Sequence, residues 1–217
     1  MPKKIILLCL IATALFTLTI AGQKSVEGKE RLFRVKFVYD GDTILIDNNE
    51  KVRYIGINSP EIGHKGRKSE FMAHAAKDLN SRLVHGVQII LEYGPEKRDS
   101  YGRLLAYVFL KNGDMVNAIM ARKGLAYIML KRPNVKYKEL FMECQQKAMK
   151  EKLGIWSRPF KKDENLYLGN QNSFRFHRPS CPFAKKISRK NIIRFNTCYD
   201  AFWAGYSPCK RCCPAQR

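Results

Sequence analysis

Arg53-Tyr54-Ile55-Gly56-Ile57-Asn58-Ser59-Pro60-Glu61 is the stretch on which the fold turns, read together with Asp40-Gly41-Asp42-Thr43 before it. In the longer stretch an arginine enters on a β-like run, and a polar pair and a glutamate follow where the run ends. In the shorter one Asp-Gly marks a turn between two strands. A third piece, Asp99-Ser100-Tyr101-Gly102-Arg103-Leu104-Leu105-Ala106-Tyr107, repeats the pattern of a polar turn feeding an apolar strand. Each piece alone reads as a turn plus a solvated charge. The order and spacing of all three are hard to obtain by accident.

Outward from these pieces the chain reads as five strands. Arg31 to Tyr39 alternates, with Phe33, Val35 and Phe37 on one face. Thr43 to Asp47 is short and β-branched, and Val52 to Ile57 follows a turn at Asn48-Asn49. Two more runs lie at Val87 to Tyr93 and Leu104 to Leu110. Five short strands with turns between them predict a small closed barrel. Three helical stripes accompany them: Phe71, Ala75, Leu79 and Leu83, stopping at Gly86; Met115, Val116, Ile119 and Met120, stopping at Gly124; and Tyr137, Leu140, Phe141, Cys144 and Ala148, stopping at Gly154. Cys144 falls on an apolar stripe and is expected to be a buried core thiol. The expected class is α+β, a five-stranded oligonucleotide-binding-type (OB-fold) barrel with three helices.

From about Arg31 to Ser157 the chain resembles the staphylococcal nuclease family. Asp114-Met115-Val116-Asn117, Gly124-Leu125-Ala126 and the segment from Ala148 to Ser157 add to the three pieces above. The resemblance implies calcium-dependent hydrolysis of phosphodiester bonds in DNA and RNA. It aligns Asp42 with a calcium-holding carboxylate and Ser59 with a position that offers its backbone carbonyl, hard oxygen donors of the kind calcium prefers. It aligns Glu61 with the candidate general base for the attacking water. Arg53 and Arg103 align with two arginines that fork around the phosphate. Tyr101 lies beside that site as a substrate contact. Two positions depart from the family pattern. Asn58 stands where the second calcium-binding aspartate is expected, which keeps an oxygen and removes a charge. After Gly124 a closely spaced tyrosine pair is missing, and Tyr127 is left to meet the nucleotide base alone.

From about Asn165 the texture changes to Asn, Ser, Pro, Cys and aromatics without helical periodicity. A segment so poor in aliphatic residues needs a metal or disulfides to hold it. His177-Arg178-Pro179-Ser180-Cys181 supplies one close pair of ligands, and Cys209-Lys210-Arg211-Cys212 a second. Together they predict a closed tetrahedral zinc site. Residues Tyr167 to Pro214 resemble the zinc domain of the Ada DNA-repair protein. There the first ligand is a methyl-accepting cysteine, whereas here it is His177, so methyl transfer is not carried over. The site is expected to be structural, in a DNA-binding accessory domain carrying Arg178, Lys185, Lys186, Arg189, Lys190 and Arg194. Cys213 is an alternative ligand to Cys212, or a disulfide partner of Cys198. The x-x spacing favours Cys212. His64, His74 and His85 are expected at the surface or in packing.

Charge points the same way. Forty Lys and Arg against nineteen Asp and Glu give a net +21 over 217 residues. Such an excess calls for an anionic partner, nucleic acid first and an anionic membrane second. An ordinary apolar fraction excludes a wholly disordered chain. Lys3 and Lys4 precede an apolar run from Ile5 to Ile20, and Thr19-Ile20-Ala21 offers small residues beyond it. That pattern predicts a signal peptide over residues 1–22, with an uncleaved membrane tether as the alternative. The expected organisation continues with a linker over 23–30, the nuclease-like domain over 31–160 and the zinc module over 165–217, in an exported monomer. The leading function is an exported endonuclease with calcium and structural zinc. The alternative is a non-catalytic, extracytoplasmic nucleic-acid-binding protein.

Overall fold

The structure is a computed structural model and describes residues 31–160 and 164–212. The leader, the linker and Cys213 lie outside the described residues. Strands β1 (Leu32–Val38), β2 (Thr43–Ile46) and β3 (Lys51–Tyr54) form an antiparallel meander. With β5 (Gln88–Arg98) and β6 (Leu104–Leu110) they close a barrel in the order β1-β2-β3-β6-β5, the β3–β6 pair being parallel. This is the five-stranded barrel that the strand count implied.

Two strands differ from the simple alternation. A register shift between Val35 and Phe37 interrupts the β1–β2 pairing. It turns Phe37 out to solvent, 46% exposed, and turns Val38 into the core. An inserted residue reverses every later side chain of a strand. The run Val52 to Ile57 is two strands, because Gly56 takes φ 81°. Beyond that break β4 (Gly56–Asn58) leaves the barrel and pairs with β7 (Tyr127–Met129), a strand that periodicity did not reveal. A three-residue strand is too short to alternate visibly.

Three helices cover the barrel: α1 (Ala73–Val84), α2 (Val116–Arg122) and α3 (Lys138–Lys150). The buried seam of α1 is Ala73, Ala76, Asn80 and Val84. The expected stripe of Ala75, Leu79 and Leu83 flanks that seam half-buried, and Phe71 precedes the helix. Cys144 is buried on α3, as its stripe implied. Asn117 on α2 explains its place in the sequence motif. Its Oδ1 accepts from the Val108 amide at 2.9 Å and its Nδ2 donates to the Ile55 carbonyl at 2.9 Å, pinning the break between β3 and β4.

After a 3₁₀ turn at Gly154–Ser157 the chain builds a second sheet in the order β10-β8-β9-β11. It comprises β8 (Tyr167–Asn170), β9 (Arg175–His177), β10 (Ile192–Phe195) and β11 (Ser207–Pro208). Helices α4 (Pro182–Lys185) and α5 (Cys198–Trp203) are a turn or two long, too short to leave a periodic trace in sequence. Thr197 and Asp200 close α5 with a reciprocal capping box.

This sheet is welded to the barrel domain. Phe202 packs against Trp156, Phe160, Tyr127 and Phe176, at ring-centroid distances of 5.1, 5.1, 5.6 and 5.2 Å. The α3 amides of Gln145 and Gln146 donate to the carbonyls of Phe202 and Trp203 at 2.5 and 3.0 Å. One apolar cluster therefore runs from Ile128 and Phe141 of the first domain to Phe176 and Phe202 of the second.

Candidate active site and metal centre

Two of the junctions singled out in sequence, Asp40–Asp42 and Asn58–Glu61, meet at one end of the barrel. The Asp40–Asp42 turn passes so close to its neighbours that a Cβ on Gly41 would lie 2.6 Å from the Ser59 Cβ and 2.8 Å from the Ala76 Cβ. Helix α1 fixes the turn from behind. Asn80 Nδ2 donates to the Asp40 carbonyl at 2.8 Å while its Oδ1 accepts from the Tyr54 hydroxyl at 2.9 Å.

Asp42, Arg53, Asn58 and Ser59 form a single buried network. Asp42 faces Arg53 Nε at 3.1 Å and accepts from the Ser59 amide at 2.7 Å and the Thr43 hydroxyl at 3.0 Å. Arg53 Nη1 donates to the carbonyls of Tyr54 and Ile57 at 2.6 and 2.8 Å, and Nη2 donates to Asn58 Oδ1 at 2.9 Å. Asn58 Nδ2 donates in turn to the Ser59 carbonyl at 3.0 Å and the Tyr127 hydroxyl at 3.1 Å. Asn58 thus does something an aspartate cannot: it holds, by donation, the carbonyl of Ser59. Four of the five Arg53 donors face protein partners, so in this arrangement Arg53 ties the site together more than it forks outward.

Glu61 stands at the accessible mouth of the site. Its loop is fixed by a reciprocal pair, the Glu61 amide on a Glu70 carboxylate oxygen and the Glu70 amide on the Glu61 carbonyl, each at 2.9 Å. Partial burial raises the Glu61 carboxyl above its ordinary value, Asp42 raises it further, and the Lys210 ammonium pulls it back. Asp40, which the motif reading passed over, belongs to the same field. It is pushed up to about 7, by burial first and by the Asp42 charge second, with Glu61 adding to the effect. The only sequence signal for Asp40 is that it is the other acid of the Asp-Gly-Asp turn. Asp42 raises both Asp40 and Glu61, so negative charge gathers beside the Asn58 amide oxygen and the Ser59 carbonyl, oxygen donors of the kind a divalent cation takes.

Arg103 sits at the start of β6, next to Leu104, whose register partner is Val52. Its guanidinium is gripped by Asp99, with Nε and Nη2 each 2.8 Å from Oδ2. Tyr101 is 84% exposed, with the Arg103 guanidinium 5.5 Å from its ring centroid. Tyr127 is partly buried and reaches the cluster through Asn58.

The second constellation is complete. Donor atoms of His177, Cys181, Cys209 and Cys212 all lie within 4.8 Å of one another, and it is the one such His/Cys/Asp/Glu group among the described residues. Sulfurs on a tetrahedral zinc with ~2.3 Å bonds would be about 3.8 Å apart, so a small contraction closes the site. Burial lowers the His177 imidazole, helped by the Arg175 charge, which keeps it neutral and able to ligate. Burial acts to raise the Cys181 thiol, but the Phe183 and Ala184 amides of α4 and hydrogen bonds from the Cys212 and Cys209 thiols together lower it. Cys212 is pushed up to about 12 by burial, with the neighbouring Cys181 and Cys209 sulfurs contributing. Three sulfurs this close shed their protons together only on a cation, so the donor set fits a metal. His64, His74 and His85 are exposed, outside either centre.

A barrel of this order, with acid, arginine and amide oxygen at one end and a Cys3His group in the appended sheet, defines a nuclease-type domain joined to a metal-binding domain. Comparison with known proteins agrees. Residues 51–158 match the model of the staphylococcal nuclease homologues, and residues 155–215 match that of the metal-binding domain of Ada. The chain is 37% identical over 139 residues to a thermonuclease of Staphylococcus intermedius, covering 63% of this chain and 82% of that protein. It is 37% identical over 131 residues to a thermonuclease of Staphylococcus hyicus, covering 59% and 77%. An SPbeta prophage-derived endonuclease of Bacillus subtilis, YokF, is 37% identical over 124 residues, 55% of this chain and 42% of that one. The chain belongs to the staphylococcal nuclease family, and by that membership is a nuclease.

Proposed function

We propose that the protein is an exported, calcium-dependent endonuclease of DNA or RNA, with a structural zinc in its C-terminal module that assists nucleic-acid binding. The observation that carries this reading is the junction of Asp42, Arg53, Asn58, Ser59 and Glu61 at one barrel end. Asp42, the Asn58 amide oxygen and the Ser59 carbonyl would hold calcium, with Asp40 at the other end of the Asp-Gly-Asp turn giving up its proton as the cation binds. Calcium there supplies charge neutralisation for the phosphodiester. Glu61 takes the proton of the water whose oxygen attacks phosphorus. Its raised proton affinity suits it to that work better than an ordinary carboxylate. The P–O bond to the leaving oxygen breaks with its electron pair. Arg103 donates to the phosphoryl oxygens as charge builds on them, oriented by Asp99. Tyr101, whose ring lies beside Arg103, would meet the substrate, and Tyr127 lines the cleft beside Asn58.

The second reading is a protein that binds nucleic acid without cutting it. Asn58 and the inward-facing Arg53 donors favour that reading. Incubating the purified protein with single-stranded and duplex DNA decides between them, with calcium, with magnesium and with chelator. Calcium-dependent cleavage is expected, and Glu61→Gln or Arg103→Ala should each lower the rate by about 10²-fold or more. Intact DNA with every metal, from folded protein that still binds it, would make the binding reading the right one.

A further inference from the structure

The cleft beside Glu61 is not walled by the nuclease domain alone. It is a cleft of about 730 Å³. One side is formed by Asn58, Glu61 and Tyr127. The other is formed by Phe202, Cys209 and Lys210 of the C-terminal module, with Arg158 at the joint between them. The sequence places the two matched families end to end, with the nuclease match ending at residue 158. Folding brings the metal-binding knuckle back over the general base.

We propose that the C-terminal module is the second wall of the substrate cleft, where Lys210 and Arg158 bind a phosphodiester adjacent to the one hydrolysed. The assignment rests on the nuclease reading above. Three features of the structure support it. Both cations line the cleft that holds Glu61, and both are exposed to an incoming strand. Arg158 is held at its guanidinium, and Lys210 at the backbone from which it projects. The Arg158 guanidinium lies 3.7 Å from the Phe71 ring centroid, and Lys210 sits between Cys209 and Cys212, whose sulfurs belong to the Cys3His group. Finally, without a strand present these cations share the cleft with Glu61 and Glu70, and the Lys210 charge already reaches Glu61. An incoming phosphate would compete with those carboxylates for the two cations and draw them to the strand. A metal in the knuckle therefore acts on the nuclease by holding a phosphate contact in position, not by chemistry of its own.

The test is the salt dependence of binding, read without turnover. A fluorescein-labelled single-stranded oligonucleotide is titrated with the purified protein in buffer with calcium omitted and no chelator, from 50 to 300 mM salt. One phosphate contact to a single strand contributes about 0.7 to the slope of log K against log salt, or about fivefold in affinity at 0.1 M. Lys210→Ser and Arg158→Ser should each lower the slope by about 0.7, and the double variant by about 1.4. Lys210→Arg should keep it. Lys111→Ser, which removes a cation bonded to Gln88 elsewhere on the barrel, should leave it unchanged. Metal content of one zinc per chain should be the same in Lys210→Ser as in the native protein, which separates a phosphate contact from a damaged knuckle. Unchanged slopes in both serine variants would overturn the proposal. So would tighter binding by Lys210→Ser, which would mark Lys210 as a counter-ion that blocks Glu61. Because the assay needs no cleavage, it reads the cleft even where the calcium-dependent activity proves absent. An active nuclease with unchanged slopes would sink this assignment alone.

Discussion

At the scale of single residues, Asn58 has the most to say. Its amide donates to the Ser59 carbonyl and accepts from Arg53, so both ends are in use. Asn58→Asp would replace that donor with a second acceptor facing the Ser59 oxygen. An acceptor set against an acceptor in a buried place costs about 1–3 kcal/mol. The calcium-free variant should therefore unfold at lower temperature, and calcium should restore it, since the added charge strengthens a hard-oxygen site. Thermal melts and calcium titrations of the two proteins measure both effects. A variant with unchanged calcium affinity would show that position 58 does not face the ion. Asp40 carries the complementary lesson. It reads as half of a turn, and only its crowding by Asp42 and Glu61 shows that it shares their charge.

At the scale of elements, the break between β3 and β4 positions the site. Gly56 turns the chain with φ 81°, which lets Ile57 and Asn58 leave the barrel and pair with β7. A Cβ there would lie 2.3 Å from a ring carbon of Phe141, on α3. Gly56→Ala is thus opposed both by its backbone angle and by a ring that has nowhere to go. The expected loss is about 2–4 kcal/mol of stability, measured by urea denaturation. A loss below 1 kcal/mol would mean that α3 yields easily and that the break is not rigidly set. Much of this arrangement is legible in sequence: the strands, the three helices and the motif glycine. The β1 bulge and β7 were not, because one depends on an inserted residue in a pairing and the other is three residues long.

At the scale of the whole molecule, the two matched domains share a core at Phe202. Its ring meets Tyr127 and Trp156 on one side and Phe176 on the other. Phe202→Ala should cost about 3–5 kcal/mol, as emptying a buried aromatic site does. Because the cluster is continuous, the barrel and the module should melt together in one calorimetric transition. Two separate transitions in the native protein would show that they fold independently.

The sequence by itself determined the barrel, the nuclease motif residues and the Cys3His set. Those depend on strand patterning and on ligand spacing within a few residues, which local order preserves. It also placed Arg53 as a motif residue. Tertiary structure decided that most of its donors turn inward to Asp42, Asn58 and two carbonyls. Tertiary structure also decided that Lys210, some 150 residues beyond Glu61 in the chain, lines the same cleft. Contacts of that kind are set by how the apolar faces around Phe202 dock. No local pattern encodes the meeting of two surfaces far apart in sequence.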